Sequence, residues 1–200
     1  MRRFVLGWKC LGHERRFGAY IVNYADDLVI CCRGEADKAL TVMRSMMSGL
    51  KLKVNETKTR VCHLPEEKFD FLGYTHGLSY SAKTGKAYMG LSPAKRRVQR
   101  LCRAVSELTS RQSTQQDAET MVGTLNRKLL GWSNYFRLGT VSQAYRVVDR
   151  HTTRRLRHWL CAKHKVASQG TVRFSDATLH LKFGLVRLAQ RNHSHPCATT

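Results

Sequence analysis

The chain has 200 residues, 42% of them hydrophobic, and its 35 Lys and Arg against 14 Asp and Glu give a formal charge of +21. That apolar content excludes a disordered chain and suffices for one or two domains with real cores, while the charge implies a polyanionic partner, most often nucleic acid. Seven scattered cysteines without a C-x-x-C pair argue against a disulfide framework or a zinc knuckle. No stretch has the apolar length of a membrane span or a signal peptide, so a soluble, cytoplasmic protein associated with RNA or nucleoid is expected.

The charge is uneven. Residues 1–80 hold 13 basic and 9 acidic residues, a net of +4, whereas residues 81–200 hold 22 and 5, a net of +17. The second part is therefore the one expected to meet the polyanion.

Residues 1–17 are basic and weakly patterned, and read as loop or short helix. Ala19-Tyr20-Ile21-Val22 and Leu28-Val29-Ile30-Cys31-Cys32 are strand-forming runs on either side of Asn23-Tyr24-Ala25-Asp26-Asp27. The two acids thus mark the bend of a β-hairpin, as a solvated turn or as a cation site. Ala36, Leu40, Met43, Met47 and Leu50 then recur at helical spacing, an amphipathic helix whose Met-rich stripe reads as packing. Leu50 to Val54 alternates like a half-buried strand, Asn55 to Thr59 turns, Arg60 to Leu64 reads as another short strand, and Phe69 to Tyr74 as an aromatic strand and turn. These make residues 18–80 an α+β half-domain, and with the N-terminal stretch residues 1–80 form the first domain.

Residues 81–90 are expected to form a linker before a helical domain over 91–192 and a disordered tail over 193–200. Ser92-Pro93 reads as an N-cap followed by Pro at the first helical position, with Val98, Leu101, Val105 and Leu108 on one face. A second helix is expected over 117–136 with Val122, Leu125, Leu129, Trp132 and Phe136 inward. A third is expected over 140–163 with Val141, Tyr145, Val148, Thr152, Leu156 and Trp159 inward. Thr171 to Arg191 suggests a short closing helix or a pair of turns. Arg96, Arg100 and Arg103 share a stretch free of acids, and Arg150, Arg154, Arg155 and Arg157 stand outside the third apolar stripe, so these arginines are the candidate phosphate contacts. The aromatic rings read as core. His158, Cys161 and His164 lie close in sequence but lack further partners for a metal.

Three motifs in order, Tyr24-Ala25-Asp26-Asp27, Leu52 to Thr59 (LKVNETKT) and Phe69 to Tyr74 (FDFLGY), resemble the second half of the palm of group II intron reverse transcriptases. Leu125-Asn126 and Gly131-Trp132-Ser133-Asn134-Tyr135-Phe136 resemble that family's thumb and maturase domain. The resemblance covers about residues 15–190 and implies an α+β partial polymerase palm followed by an α-helical thumb and maturase bundle.

It further implies that Asp26 and Asp27 are catalytic ligands of a two-metal Mg²⁺ site, that Lys58 lies near the departing phosphates, and that Tyr24 and Ala25 lie close to the primer terminus. By the same comparison Phe71, Leu72, Gly73 and Tyr74 belong to a primer-gripping hairpin. The family's activity is RNA-directed DNA synthesis, with intron splicing and mobility, and its partners are intron RNA and a template-primer duplex. The family draws a further aspartate and its fingers from earlier strands that have no counterpart before Asp26. This chain is therefore expected not to polymerise alone, and to be a C-terminal piece or the partner of a separately encoded N-terminal half. The alternative is an RNA-binding splicing cofactor without chemistry of its own. A basic structural protein with an accidental acidic turn is the third reading.

Overall fold

A computed structural model describes residues 1–81, 84–167 and 170–191, so the expected tail over 193–200 lies outside the described residues. The chain divides into two compact units, Met1–Leu72 and Gly73–Thr200. Helices and small antiparallel sheets are mixed, in keeping with the α+β expectation.

In unit 1, α1 (Arg2–Cys10) and α2 (His13–Arg16) precede β1 (Tyr20–Tyr24) and β2 (Asp27–Cys31), followed by α3 (Ala36–Gly49) and β3 (Phe69–Phe71). The core joins Phe4, Trp8, Phe17 and Ala19 to Ala39, Met43 and Met47 of α3. The Met stripe is thus packing, as its period indicated. Phe4 and Trp8, fully buried, turn the basic N-terminal stretch into a structural helix. Their i, i+4 spacing was the only sign of it. The Trp8 indole N–H donates to the Ala19 carbonyl (3.1 Å), tying α1 to the entry of β1.

The strands expected at 50–54 and 60–64 do not form. Lys51 turns out of α3 with φ 58°, and the chain from there to Lys68 is irregular. Alternation of apolar residues only permits a strand. Without a ladder of partner carbonyls and amides an extended run stays coil.

In unit 2, β4 (Tyr74–Tyr80) and β5 (Ala87–Pro93) pair antiparallel, with Gly77 opposite Gly90 and Tyr74 opposite Pro93. Residues 81–90, expected as a linker, thus give Ala87–Gly90 to β5. A Ser, Gly and Lys composition suits a hairpin bend as well as a linker. Ser92 and Pro93 end this strand, and α4 starts at Lys95 behind Ala94 with no side-chain cap, so the Ser-Pro signal stands two residues early.

After α4 (Lys95–Leu108) come a 3₁₀ helix (Arg111–Gln115), α5 (Ala118–Tyr135) and α6 (Ser142–Lys163). Asp117 caps α5 by accepting from the Thr120 amide (2.8 Å). The apolar stripes of the three helices meet in one core, closed by Phe174, Leu179, Leu185 and Leu188. The closing segment is a π-helical stretch (Thr178–Lys182) and a 3₁₀ turn (Leu188–Gln190). At Gly139, with φ 72°, a Cβ would come within 2.1 Å of the Leu91 carbonyl oxygen, so only glycine lets the α5–α6 connection pass β5. No helix among the described residues is long and apolar enough to cross a membrane.

Candidate functional site

The acidic turn is built by the β1–β2 ladder. Tyr24 pairs with Asp27, which leaves Ala25 and Asp26 as the two bend residues. Strand alternation turns Ile21, Leu28 and Ile30 toward the unit 1 core and puts Tyr20, Val22, Tyr24 and Asp27 on the open face. Ala25 has φ 50°, a conformation that costs an alanine roughly 1 kcal/mol. The Asn23 side-chain amide holds this bend by donating to the carbonyls of Ala25 (3.0 Å) and Asp27 (3.3 Å). Both carboxylates are exposed, and among the described residues no hydrogen bond or ion pair engages either of them. Nor does a group of three His, Cys, Asp or Glu form there, or around His158, Cys161 and His164.

Lys58 is exposed on the Asn55–Thr59 turn, whose Thr57 hydroxyl donates to Asn55 Oδ1 (2.7 Å). Arg44 of α3 anchors the turn through both oxygens of Glu56 (3.1 and 2.6 Å). Among the described residues no hydrogen bond or ion pair joins Lys58 to the acidic turn. Phe71 and Leu72 close unit 1, and Leu72 (φ 52°) and Gly73 (φ 82°) both take left-handed backbone.

Within unit 2, Gly73 lies so close to Phe136 that a Cβ would approach its ring to 3.2 Å. The Tyr74 hydroxyl donates to the Tyr135 carbonyl (2.7 Å), and the Tyr145 hydroxyl to Phe136 O (2.8 Å) and Ser133 O (3.2 Å). Two phenols thereby satisfy the Ser133 and Tyr135 carbonyls, which the last turn of α5 leaves open. Burial raises the pKa of both phenols, keeping them donors.

The arginines separate into two sets. Arg155 donates from Nε to Thr109 Oγ1 (3.0 Å) and from Nη2 to the carbonyls of Ser106 (2.9 Å) and Thr109 (2.8 Å). Arg157 donates to Phe174 O (2.8 Å) and pairs with Asp176. Both are half-buried and hold the fold together. Arg96, Arg100, Arg103, Arg150 and Arg154 are exposed.

The helices that carry them run parallel. Cys102 O and Ser106 Oγ meet His151 Nε2 (2.9 and 3.0 Å), the next turn meets Arg155, and Ser113 Oγ meets Trp159 Nε1 (3.0 Å), so contacts advance along both together. At about 3.6 residues per turn, Arg96, Arg100 and Arg103 then flank the seam on the side away from the core, as do Arg150 and Arg154 of α6. Both stripes thus lie on the solvent side of the helix pair, with the exposed Glu107 one turn beyond Arg103 on the α4 stripe.

Residues 8–76 match the profile of the reverse transcriptase (RNA-dependent DNA polymerase) family, and residues 98–175 match that of the group II intron maturase-specific domain. The chain belongs to the group II intron reverse transcriptase and maturase family. No curated protein sequence matches it. The acidic turn lies inside the reverse transcriptase segment and the arginine stripes largely inside the maturase-specific one.

Sequence reasoning missed the residues that hold the maturase-specific segment closed. The Asn126 amide donates to Gly184 O (2.8 Å) and its oxygen accepts from the Val186 amide (2.9 Å). Asp149 accepts from the amides of Leu188 and Ala189, both at 2.9 Å. An acid within an otherwise basic helix was the one available signal for Asp149. For Asn23, the short polar side chain before a bend was the signal.

Proposed function

We propose that the chain binds structured intron RNA through the α4–α6 face and assists its splicing. The observation that carries this reading is the placing of two acid-poor arginine stripes on the solvent side of one parallel helix pair, which suits phosphates spaced along an RNA backbone. The partial-palm and thumb assignments follow the same family reading. In it the Asp26–Asp27 turn is part of the Mg²⁺ centre of an RNA-directed DNA polymerase acting on a template-primer duplex. Two hard-oxygen donors without a protein counter-cation fit Mg²⁺, which when bound would activate a hydroxyl and offset charge on a leaving pyrophosphate. Asn23 keeps those carboxylates at the bend. In the same family reading, binding rather than polymerisation is the activity expected of this chain by itself.

Titration with a structured intron RNA across salt concentrations tests it. Affinity should fall steeply with salt, survive Asp26→Ala and Asp27→Ala, and lose up to about 3 units of its log–log salt slope when Arg100, Arg103, Arg150 and Arg154 are all replaced by Gln. An unchanged slope in that variant would overturn the reading.

A further inference from the structure

At the far end of the α4–α6 seam, where α4 gives way to the 3₁₀ helix, lies a half-open cleft of about 460 Å³. We propose that this cleft binds a phosphate group, supplied by a backbone phosphodiester of RNA; the assignment rests on the RNA-binding reading of unit 2. Arg111 from the 3₁₀ helix and Arg155, His158 and Lys165 from α6 and the chain just past its end converge on it, Ser110 borders it, and none of the residues that line it is acidic. Bringing Arg111, Arg155 and Lys165 around one cavity without a carboxylate costs Coulomb energy, and a bound anion relieves that cost.

Arg155 gives the cleft its fixed point. Its Nε and Nη2 are held by Thr109 and Ser106, which orients the guanidinium plane, while Nη1 has no partner among the described residues. A guanidinium immobilised before binding loses little freedom when it takes a phosphate oxygen. Capping of α4 accounts for two of its nitrogens, but not for Arg111 and Lys165, which are exposed, make no ion pair and still face the same cavity. The Ser110 hydroxyl is likewise without a partner among the described residues, a neutral donor beside the cations. Trp159 lines the floor but is 2% exposed, with its indole N–H bonded to Ser113, so the cleft presents donors rather than a stacking surface. That chemistry favours a phosphate over a base.

The test uses the full chain and two charge-matched variants, Arg111→Gln with Lys165→Gln in the cleft and Arg100→Gln with Arg103→Gln on the outer face of α4. Inorganic phosphate, followed by amide chemical shifts, should perturb Ser110, Arg111 and Lys165, and bind at least tenfold more weakly to the cleft variant while the α4 variant keeps wild-type affinity. Structured RNA should move the same amides and displace phosphate, whereas shifts with phosphate alone would keep the site but assign it to a free phosphate compound. Equal weakening in both variants, or no shift at these amides with either probe, would overturn the proposal. If wild-type protein binds no RNA at all, the function proposed above fails, and the phosphate titration still decides the cleft.

Discussion

The two units are held together differently. Unit 1 gathers seven buried apolar residues, Trp8 and three from α3 among them, and its one buried side-chain hydrogen bond among the described residues is the indole bond to Ala19. Unit 2 buries seventeen in its cluster and adds polar struts between residues far apart in the chain, such as Asn126 to 184–186, Asp149 to 188–189 and Arg155 to 106–109. A small apolar cluster resists unfolding in proportion to area, whereas polar struts, here part-buried to exposed, also fix which segment lies where, because each needs its partner in one place. The unit with the larger net positive charge is thus the one that invests its polar groups in defined geometry, and the acidic turn rides on the simpler one.

The comparison breaks first at Trp8. Trp8→Ala should destabilise unit 1 by about 3–5 kcal/mol, read from denaturant unfolding, since it removes both the largest core side chain and the indole bond. A loss under 1 kcal/mol would show that the cluster does not hold the unit. Asn126→Ala should cost unit 2 about 0.5–1.5 kcal/mol, because Val186 N–H and Gly184 C=O lose their partner. A cost no larger than that of an exposed substitution such as Asn134→Ala would remove the distinction between the units.

The seam between α4 and α6 provides a pH test. Burial holds the His151 imidazole below its ordinary 6.5, against the pull of the Cys102 carbonyl, and Arg154 and Arg155 depress it further. The carbonyl can only accept, so Nε2 carries the proton of the neutral ring. As pH falls through about 6.5 the unfolded chain takes up a proton before the folded one does, so stability drops from there downward until the folded pKa is passed. Urea midpoints between pH 7.5 and 5 should fall more for the native chain than for His151→Gln, and equal slopes would refute the role.

The smallest effect is expected at the bend itself. Ala25→Gly relieves the left-handed backbone and should stabilise unit 1 by at most about 1 kcal/mol, with the gain offset by the entropy of a freer unfolded chain. A loss of stability would show that the methyl group packs rather than strains.

Much of this was legible in the sequence. The faces of α4, α5 and α6, the Met stripe of α3 and the acidic bend follow from local periodicity, because a residue's burial repeats with the helix or strand that carries it. The same signal was silent where burial depends on distant partners. Leu52 and Val54 alternate like a strand yet have no ladder, and Phe4 and Trp8 look sparse until α3 covers them. Among the arginines, Arg154 and Arg155 are neighbours in one basic run, and nothing in that run says that one faces solvent while the other braces α4. Charge has no period of its own. Local pattern alone was enough for the helical faces and for the place of the two carboxylates at the bend. Which cations are bound into the fold and which face solvent is a matter of packing, because that division depends on which carbonyls a neighbouring helix brings within hydrogen-bonding reach.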